Sequence, residues 1–194
     1  MQNILLDCGT NNFLGLKKMI VQEGVGLGWK MHSFEPNPEA RPELEKKAET
    51  LRQKGFDLTF HPVAVGNADG CTEFKYNTEG DKWGTTCDWH SSHNYQNAVQ
   101  VQQIDFAAFI QSHCSKDDQI FCKMDIEGAE FLVLDHLLKT GVFEWLDKLF
   151  VEWHIDNQWG HQWPDHFSEE QQSYFARLKD RVCNHPDVRV CPWD

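Results

Sequence analysis

Short runs of hydrophobic residues alternate with helically spaced hydrophobic residues along the first third of the chain. Ile4-Leu5-Leu6 is one such run, and Phe13, Leu16 and Ile20 have the spacing of one helix face. The pattern predicts strands at residues 2–7, 29–34 and 56–65 and helices at 13–23 and 38–54. Because strands alternate with helices, we expect parallel strands joined by right-handed crossovers.

The pattern changes in the middle of the chain. Residues 71–76 and 99–103 alternate between polar and apolar positions as antiparallel strands do, with a polar stretch between them. We therefore predict a flap-like insertion over 71–103, before the fourth core strand. Beyond it the pattern predicts helices at 104–114 and 128–139 and strands at 119–124 and 149–153. Residues 155–194 are predicted to form a loop, a helix capped by Ser168 and a last strand at 188–191. Residues 1–194 are expected to form one α/β domain with a mostly parallel sheet and helices on both faces.

The charge balance argues against two classes of partner. The chain of 194 residues carries 18 Lys and Arg against 30 Asp and Glu, a formal net charge of −12. Nucleic acids and anionic membranes both bind through cations, so neither is an expected partner. No apolar run approaches the ~18 residues of a membrane span. The seven cysteines lack paired spacing and no secretion signal precedes the first strand, so we expect reduced thiols in a cytoplasmic protein.

A small polar turn follows the first predicted strand. Asp7, Gly9, Thr10 and Asn11 lie where ligands bind in an open α/β sheet, at the carboxyl end of a strand. A dinucleotide site would have a G-x-G-x-x-G turn here, whereas this chain has D-x-G. An acid at this position repels a pyrophosphate and suits a cationic ligand, although an ordinary turn explains the residues nearly as well.

A second acid ends the second predicted strand. Glu35 precedes Pro36 at a position where an acid typically accepts the ribose hydroxyls of a nucleoside. The competing interpretation is a helix-capping acid before the proline. Taken together, Asp7 and Glu35 indicate a positively charged nucleoside without phosphate, and S-adenosylmethionine has that chemistry.

Carboxylates and a histidine surround the last predicted core strands. Asp125, Glu127 and Glu130 lie at a strand-to-helix turn, and Glu152 and His154 alternate along the predicted strand 149–153 and its end. Glu152 and His154, placed near Asp125, could bind a divalent ion or act as a general base. The competing interpretation is that the glutamates only favour the helix N-terminus and that the histidine is buried and hydrogen-bonded. A divalent ion is left open and no metal site is predicted, since the Cys and His residues lack structural zinc spacing.

Several stretches together resemble the FkbM family of S-adenosylmethionine-dependent methyltransferases. They are L-D-C-G-T-N at 6–11, S-F-E-P-N-P at 33–38, A-V-G-N-A-D-G at 64–70, K-M-D-I-E-G-A-E at 123–130 and V-E-W-H at 151–154. The resemblance implies a Rossmann-like methyltransferase fold and O-methylation of a hydroxyl on a sugar or another small metabolite. One departure is Phe13, which stands where the family usually has a second glycine.

The resemblance also implies roles for these residues. Asp7, Gly9, Thr10 and Asn11 would surround the methionine part of the cofactor, Glu35 and Pro36 its ribose, and Ala64 and Val65 its adenine. Asp125 would bind the cofactor's ammonium group or face the acceptor. His154, supported by Glu152, is the first candidate for the base, and Glu127 is the second.

Two other functions remain open from the sequence. One is a nucleoside-binding protein of this fold without turnover, and the less favoured one is a nicotinamide-dependent oxidoreductase, which would need a glycine-rich phosphate turn. The acceptor is expected to be a small molecule or glycan covered by the polar stretch 77–97 and the loop 157–167. The tryptophans of these segments would stack on a sugar or simply close the core. The oligomeric state is left open.

Overall fold

A six-stranded parallel sheet forms the centre of the computed structural model, which describes residues 1–77, 84–87, 95–154 and 167–193. Its strands are β1 (Asn3–Cys8), β2 (Trp29–Phe34), β3 (Asp57–His61), β8 (Gln119–Met124), β9 (Lys148–Val151) and β10 (Arg189–Pro192). The order across the sheet is β10-β9-β8-β1-β2-β3, and every pairing is parallel. This is the doubly wound order. From β1 the chain first adds β2 and β3 on one side and later adds β8, β9 and β10 on the other, so the strand order reverses between β1 and β8.

Helices cover both faces of this sheet, as the sequence predicts. The helices are α1 (Leu14–Glu23), α2 (Arg41–Gln53), α3 (Phe106–His113), α4 (Glu130–Thr140) and α5 (Glu169–Cys183), with a short 3-10 helix at Phe143–Trp145. Leu5 of β1 packs into the core formed with α1 and α2, whereas Ile4 and Leu6 pack into the core formed with α3, α4 and α5. The alternation of side chains along a buried strand therefore produces two apolar layers. No helix in the described segments is long and apolar enough to cross a membrane.

A second, four-stranded sheet contains the antiparallel strands of the middle region. Its strands are β4 (Ala64–Gly66), β5 (Gly70–Tyr76), β6 (Gly84–Thr85) and β7 (Asn97–Asp105), in the order β4-β7-β5-β6. β5 runs antiparallel to both of its neighbours, and β4 pairs in parallel with β7. The prediction of one strand over 56–65 is therefore wrong, because that segment divides between two sheets. Pro62 stands at the division, and proline cannot donate a hydrogen bond to a continuing ladder.

The strand predicted at 149–153 ends earlier than the sequence pattern indicates. β9 stops at Val151, and His154 lies in the turn that follows. The amide of Glu152 still donates to the carbonyl of Met124 at 3.0 Å, which holds the chain beside β8 for one more residue. Glu152 and His154 are thus brought together by the turn rather than by strand alternation.

Phe13 takes a backbone conformation that glycine adopts more readily than other residues. Its φ is 65°, in the left-handed region that side chains disfavour. The ring is buried and contacts Phe60 edge-on, with the ring centroids 6.3 Å apart. It belongs to the core between the sheet and helices α1 and α2, and that packing compensates for the backbone strain.

Two histidines that pack against α3, on the other face of the sheet, make stability dependent on pH. His32 Nδ1 and His61 Nε2 lie 3.0 Å apart, and His113 approaches His32 edge-on. Burial, together with the charges of its neighbours, lowers the pKa of His32 to about 3. Burial lowers the pKa of His61 to about 4, with His113 as a smaller contribution. Both rings are therefore neutral in the folded protein at pH values where the unfolded chain binds protons.

We expect the free energy of unfolding to fall as the pH drops below ~6.5, the pKa of an unfolded histidine. At about pH 5 the loss is ~2 kcal/mol for each of His32 and His61 relative to about pH 7.5. Urea unfolding at the two pH values measures it. His32→Leu should reduce the pH-dependent loss by ~2 kcal/mol, and an unchanged loss in this variant would contradict the assignment.

Candidate functional site

A cavity of about 430 Å³ opens beside the six-stranded sheet, where the strand order reverses between β1 and β8. It lies at the carboxyl ends of β1, β2 and β8, which is where ligands bind in a doubly wound sheet. Its volume is within the ~300–1,000 Å³ of small-molecule pockets. Phe74 and Gly84 of the second sheet and Thr86, which follows β6, complete its wall, so the antiparallel strands contribute directly to the site.

Glu35 is fixed at one end of this cavity by backbone hydrogen bonds. Its Oε2 accepts from the amide of Asn11 at 3.0 Å, and its Oε1 accepts from the amide of Asn37 at 3.1 Å. Burial raises the pKa of Glu35 to about 7, although both hydrogen bonds act in the opposite direction. Each carboxylate oxygen keeps a second lone pair, which can accept a hydrogen bond from a hydroxyl group of a ligand.

An apolar surface lies next to Glu35. Phe34, Val63, Ala64 and Val65 line the cavity here, together with Pro36. They come from the end of β2 and from the crossing between the two sheets. A flat aromatic ring such as a purine fits beside such a surface, and the neighbouring carboxylate suits an attached ribose.

The turn after β1 contributes two of its four predicted ligand-binding residues to the cavity wall. Gly9 and Asn11 line it, whereas Asp7 and Thr10 do not. Asp7 is fully buried, and its Oδ2 accepts from the hydroxyls of Thr10 at 2.5 Å and Ser33 at 3.2 Å. Asp7 and Thr10 thus lie beneath the turn and hold its shape, while only the other two predicted residues face the cavity.

Gly9 is required where the ends of β1 and β8 meet. A Cβ atom at this position would lie 1.7 Å from the carbonyl oxygen of Asp125, and φ is 76°. Any side chain would push the two strand ends apart, so only glycine allows this close approach. The glycine of the D-x-G turn has a packing role in this fold.

The four predicted catalytic side chains line the opposite end of the cavity. They are Asp125, Glu127, Glu152 and His154. His154 Nε2 lies 3.5 Å from Glu127 Oε2 and 3.8 Å from both Asp125 Oδ1 and Glu152 Oε1. The structure therefore brings together the residues of two separate sequence motifs.

Glu130 is the partner of His154 that sequence reasoning missed. Its Oε1 lies 2.8 Å from His154 Nδ1, whereas the predicted supporting residue, Glu152, is farther away. Glu130 is fully buried, and its two oxygens accept from the amides of Ile126 at 2.8 Å and Gly128 at 2.9 Å. The sequence indicated only that a glutamate at this position favours a helix N-terminus.

The charges around His154 change its predicted role. Burial alone would lower the pKa of His154, but Glu130, Glu127 and Asp125 raise it to about 10. Without a bound cation this imidazole is protonated at neutral pH, so it does not serve as a free base. Burial raises the pKa of Glu127 to about 7, and burial also raises that of Glu152. The carboxylates are the proton acceptors of this group.

Lys123 is a second residue that the sequence reasoning did not select. It is 2% exposed, and its Nζ donates to the carbonyl oxygens of Cys8 at 3.3 Å and Gly9 at 2.5 Å. The same Nζ lies 3.1 Å from Asp125 Oδ2 and 3.7 Å from Asp7 Oδ1. Burial disfavours its charge, but Asp125 and Asp7 outweigh this and raise the pKa of Lys123. It connects the turn after β1 to the end of β8.

Two kinds of group can be held at this site. The apolar surface and Glu35 suit a nucleoside at one end. At the other end, single ligand atoms of Asp125, Glu127 and His154 all lie within 4.8 Å of one another, which suits a metal ion. The tryptophans predicted to cover the acceptor lie outside the described residues; they are Trp83, Trp89, Trp159 and Trp163.

Comparison with known proteins agrees with the sequence motifs. The family profile for the methyltransferase FkbM domain matches residues 7–180. One similar solved structure is the methyltransferase FkbM from Methylobacillus flagellatus KT, with 17% sequence identity and a TM-score of 0.45. The match covers 71% of this chain and 29% of that chain. No curated protein sequence shows a significant match.

Proposed function

The chain belongs to the FkbM methyltransferase family, and from this premise we propose that it transfers a methyl group from S-adenosylmethionine to a hydroxyl. The observation that carries the proposal is the unequal character of the cavity's two ends. One end has an apolar surface beside the anchored Glu35 and suits a nucleoside. The other has the cluster of Asp125, Glu127, Glu152 and His154 and suits proton removal from an acceptor.

The residues of the chain fit this cofactor. Glu35 accepts hydrogen bonds from ribose hydroxyls, and Ala64 and Val65 contact the adenine ring. Gly9 and Asn11 lie along the methionine part, close to the carboxylate of Asp125, which pairs with an ammonium group. When bound, the cofactor supplies an electrophilic methyl group on a positively charged sulfur.

The protein's contribution is to orient the acceptor and to take its proton. A hydroxyl is a weak nucleophile while it is protonated, so a neighbouring base must assist. Glu127 lines the cavity with a pKa of about 7, which lets it accept a proton near neutral pH. The protonated His154 beside it holds the surrounding carboxylates in place through its bond to Glu130.

The class of acceptor is inferred from the part of the cavity wall that lies at β5 and β6. Phe74, Gly84 and Thr86 form a wall with both apolar and polar groups, which suits a sugar or another small hydroxylated metabolite. The net charge of −12 remains unfavourable for nucleic acid. The seven cysteines are free thiols, which supports a reducing compartment such as the cytoplasm.

The cofactor is tested by isothermal titration calorimetry. We expect S-adenosylmethionine or S-adenosylhomocysteine to bind at about −8 kcal/mol, in the micromolar range. Glu35→Gln should weaken binding by ~2 kcal/mol, because a charge-assisted acceptor of the ribose hydroxyls is lost.

The matched control is Glu39→Gln, an exposed glutamate close in sequence to Glu35, which should bind like the wild type. Heat with NAD but with neither adenosyl compound would overturn the proposal in favour of an oxidoreductase. Tight nucleoside binding without methyl transfer to any hydroxylated compound would instead support a binding protein without turnover.

A further inference from the structure

We propose that Asp125, Glu127 and His154 together bind one divalent cation at the end of the cavity away from Glu35. One ligand atom from each lies within 4.8 Å of the other two. All three side chains line the cavity, so an ion among them could also contact a ligand. The set combines two carboxylates with one imidazole, a mixture found in protein metal sites.

The distances fit ligands arranged around a shared ion. Metal–ligand bonds of ~2.0–2.2 Å in octahedral or tetrahedral geometry separate neighbouring ligand atoms by ~2.8–3.6 Å. His154 Nε2 lies 3.5 Å from Glu127 Oε2 and 3.8 Å from Asp125 Oδ1. Both distances from His154 Nε2 are therefore close to those of ligands around a shared ion, and the three ligand atoms all lie within 4.8 Å of one another.

His154 is oriented as metal-binding histidines usually are. Such a histidine bonds through one ring nitrogen to a carboxylate, which directs the other nitrogen at the ion. Here Glu130 holds Nδ1 at 2.8 Å, and Nε2 faces Asp125 and Glu127. Glu130 is itself fixed by two backbone amides and lies outside the ligand set. The ring of His154 is therefore held with Nε2 directed at the two carboxylates proposed as the other ligands.

The two carboxylates are also held in place by the chain. Asp125 directs Oδ2 at Lys123, 3.1 Å away, and Oδ1 toward His154. The backbone of Glu127 is fixed by Thr85, whose hydroxyl donates to the Glu127 carbonyl at 2.6 Å. A site that is already assembled loses little entropy when an ion binds.

The ligand set favours a cation that accepts both oxygen and nitrogen. Mn²⁺ and Zn²⁺ meet this requirement better than Ca²⁺, which prefers oxygen alone. Its role rests on the proposed function: a cation here would stabilise the negative charge that develops on the acceptor oxygen. With the ion bound, Glu127 coordinates it and Glu152 replaces Glu127 as the proton acceptor. The hydroxyl proton passes to Glu152, the new carbon–oxygen bond forms as the carbon–sulfur bond breaks, and the electron pair stays on sulfur.

The test is a titration of the chelator-treated full chain with MnCl₂, with free Mn²⁺ measured by electron paramagnetic resonance. We expect one bound ion per chain. Asp125→Asn, Glu127→Gln and His154→Gln should each weaken binding at least ~10-fold, and Glu130→Gln should weaken it by ~10–100-fold through the orientation of His154. Circular dichroism shows whether each variant is folded.

The control is His136→Gln, which removes a different histidine–carboxylate pair, with Asp105, and should leave Mn²⁺ binding unchanged. A measurement on the wild type avoids the folding question: Mn²⁺ should broaden the nuclear magnetic resonance signals of His154 before those of His136. No bound Mn²⁺, or equal broadening of both histidines, would overturn the inference. Calorimetry with S-adenosylhomocysteine on the metal-free chain tests the proposed function separately.

Discussion

Replacing Glu127 with Gln is expected to lower the rate of methyl transfer by ~10²–10⁴, the usual contribution of a proton-accepting group. Glutamine keeps the shape of the side chain but can neither accept the proton nor carry the charge that a cation needs. Affinity for S-adenosylmethionine should change only a few-fold, because Glu35 and the apolar surface lie at the other end of the cavity.

The measurement uses labelled S-adenosylmethionine and the hydroxylated compound that the wild type methylates fastest. The matched control is Glu144→Gln, an exposed glutamate in the short 3-10 helix, which should keep full activity. Equal rates for Glu127→Gln and the wild type would remove Glu127 from the chemistry. A parallel loss of nucleoside affinity would show that its role is binding.

The parallel architecture could be predicted because hydrophobic patterning and chain order determine it locally. β2 (Trp29–Phe34) and β8 (Gln119–Met124) have the predicted boundaries, and Glu35 follows directly from the end of β2. The break at Pro62 could not be found from hydrophobicity alone, since Asp57–His61 and Ala64–Gly66 are both apolar enough for one strand. Only the pairing partners distinguish the two sheets.

The candidate site was predictable in its members but not in its internal contacts. Glu152 and His154 were selected because alternation would place them on one strand face, yet a turn after Val151 brings them together. The bond between Glu130 and His154 joins residues far apart in sequence, so no local pattern indicates it. A glutamate in the first turn of a helix is ordinarily explained by the helix dipole, so its position did not indicate a bond to His154.

Lys123 was missed for a related reason, and its substitution tests how the site is held together. A lysine inside an apolar strand has no local explanation, and such a position indicates a buried partner on a neighbouring strand. Here the partners are Asp7 on β1 and Asp125 after β8. The sequence signal was the lysine itself, at the penultimate position of a buried strand.

We expect Lys123→Met to lower the free energy of unfolding by ~3–5 kcal/mol, the cost of leaving a buried charge without its partner. Asp7 is fully buried, and among the described residues its Oδ1 accepts no hydrogen bond, so the lysine is the cation that compensates it. The carbonyls of Cys8 and Gly9 would lose a donor at the same time. Urea unfolding at neutral pH measures the change.

The matched control is Lys148→Met, because Lys148 forms an ion pair with Glu23 at 2.8 Å whose side chains are 23% and 24% exposed. Solvent screens that pair, so its loss should cost ~1 kcal/mol or less. Adding Asp7→Asn to Lys123→Met should recover part of the lost stability, since the uncompensated charge is then removed. Equal destabilisation by the two lysine substitutions, with no recovery in the double variant, would mean that Lys123 contributes packing alone and that the turn after β1 does not depend on its charge.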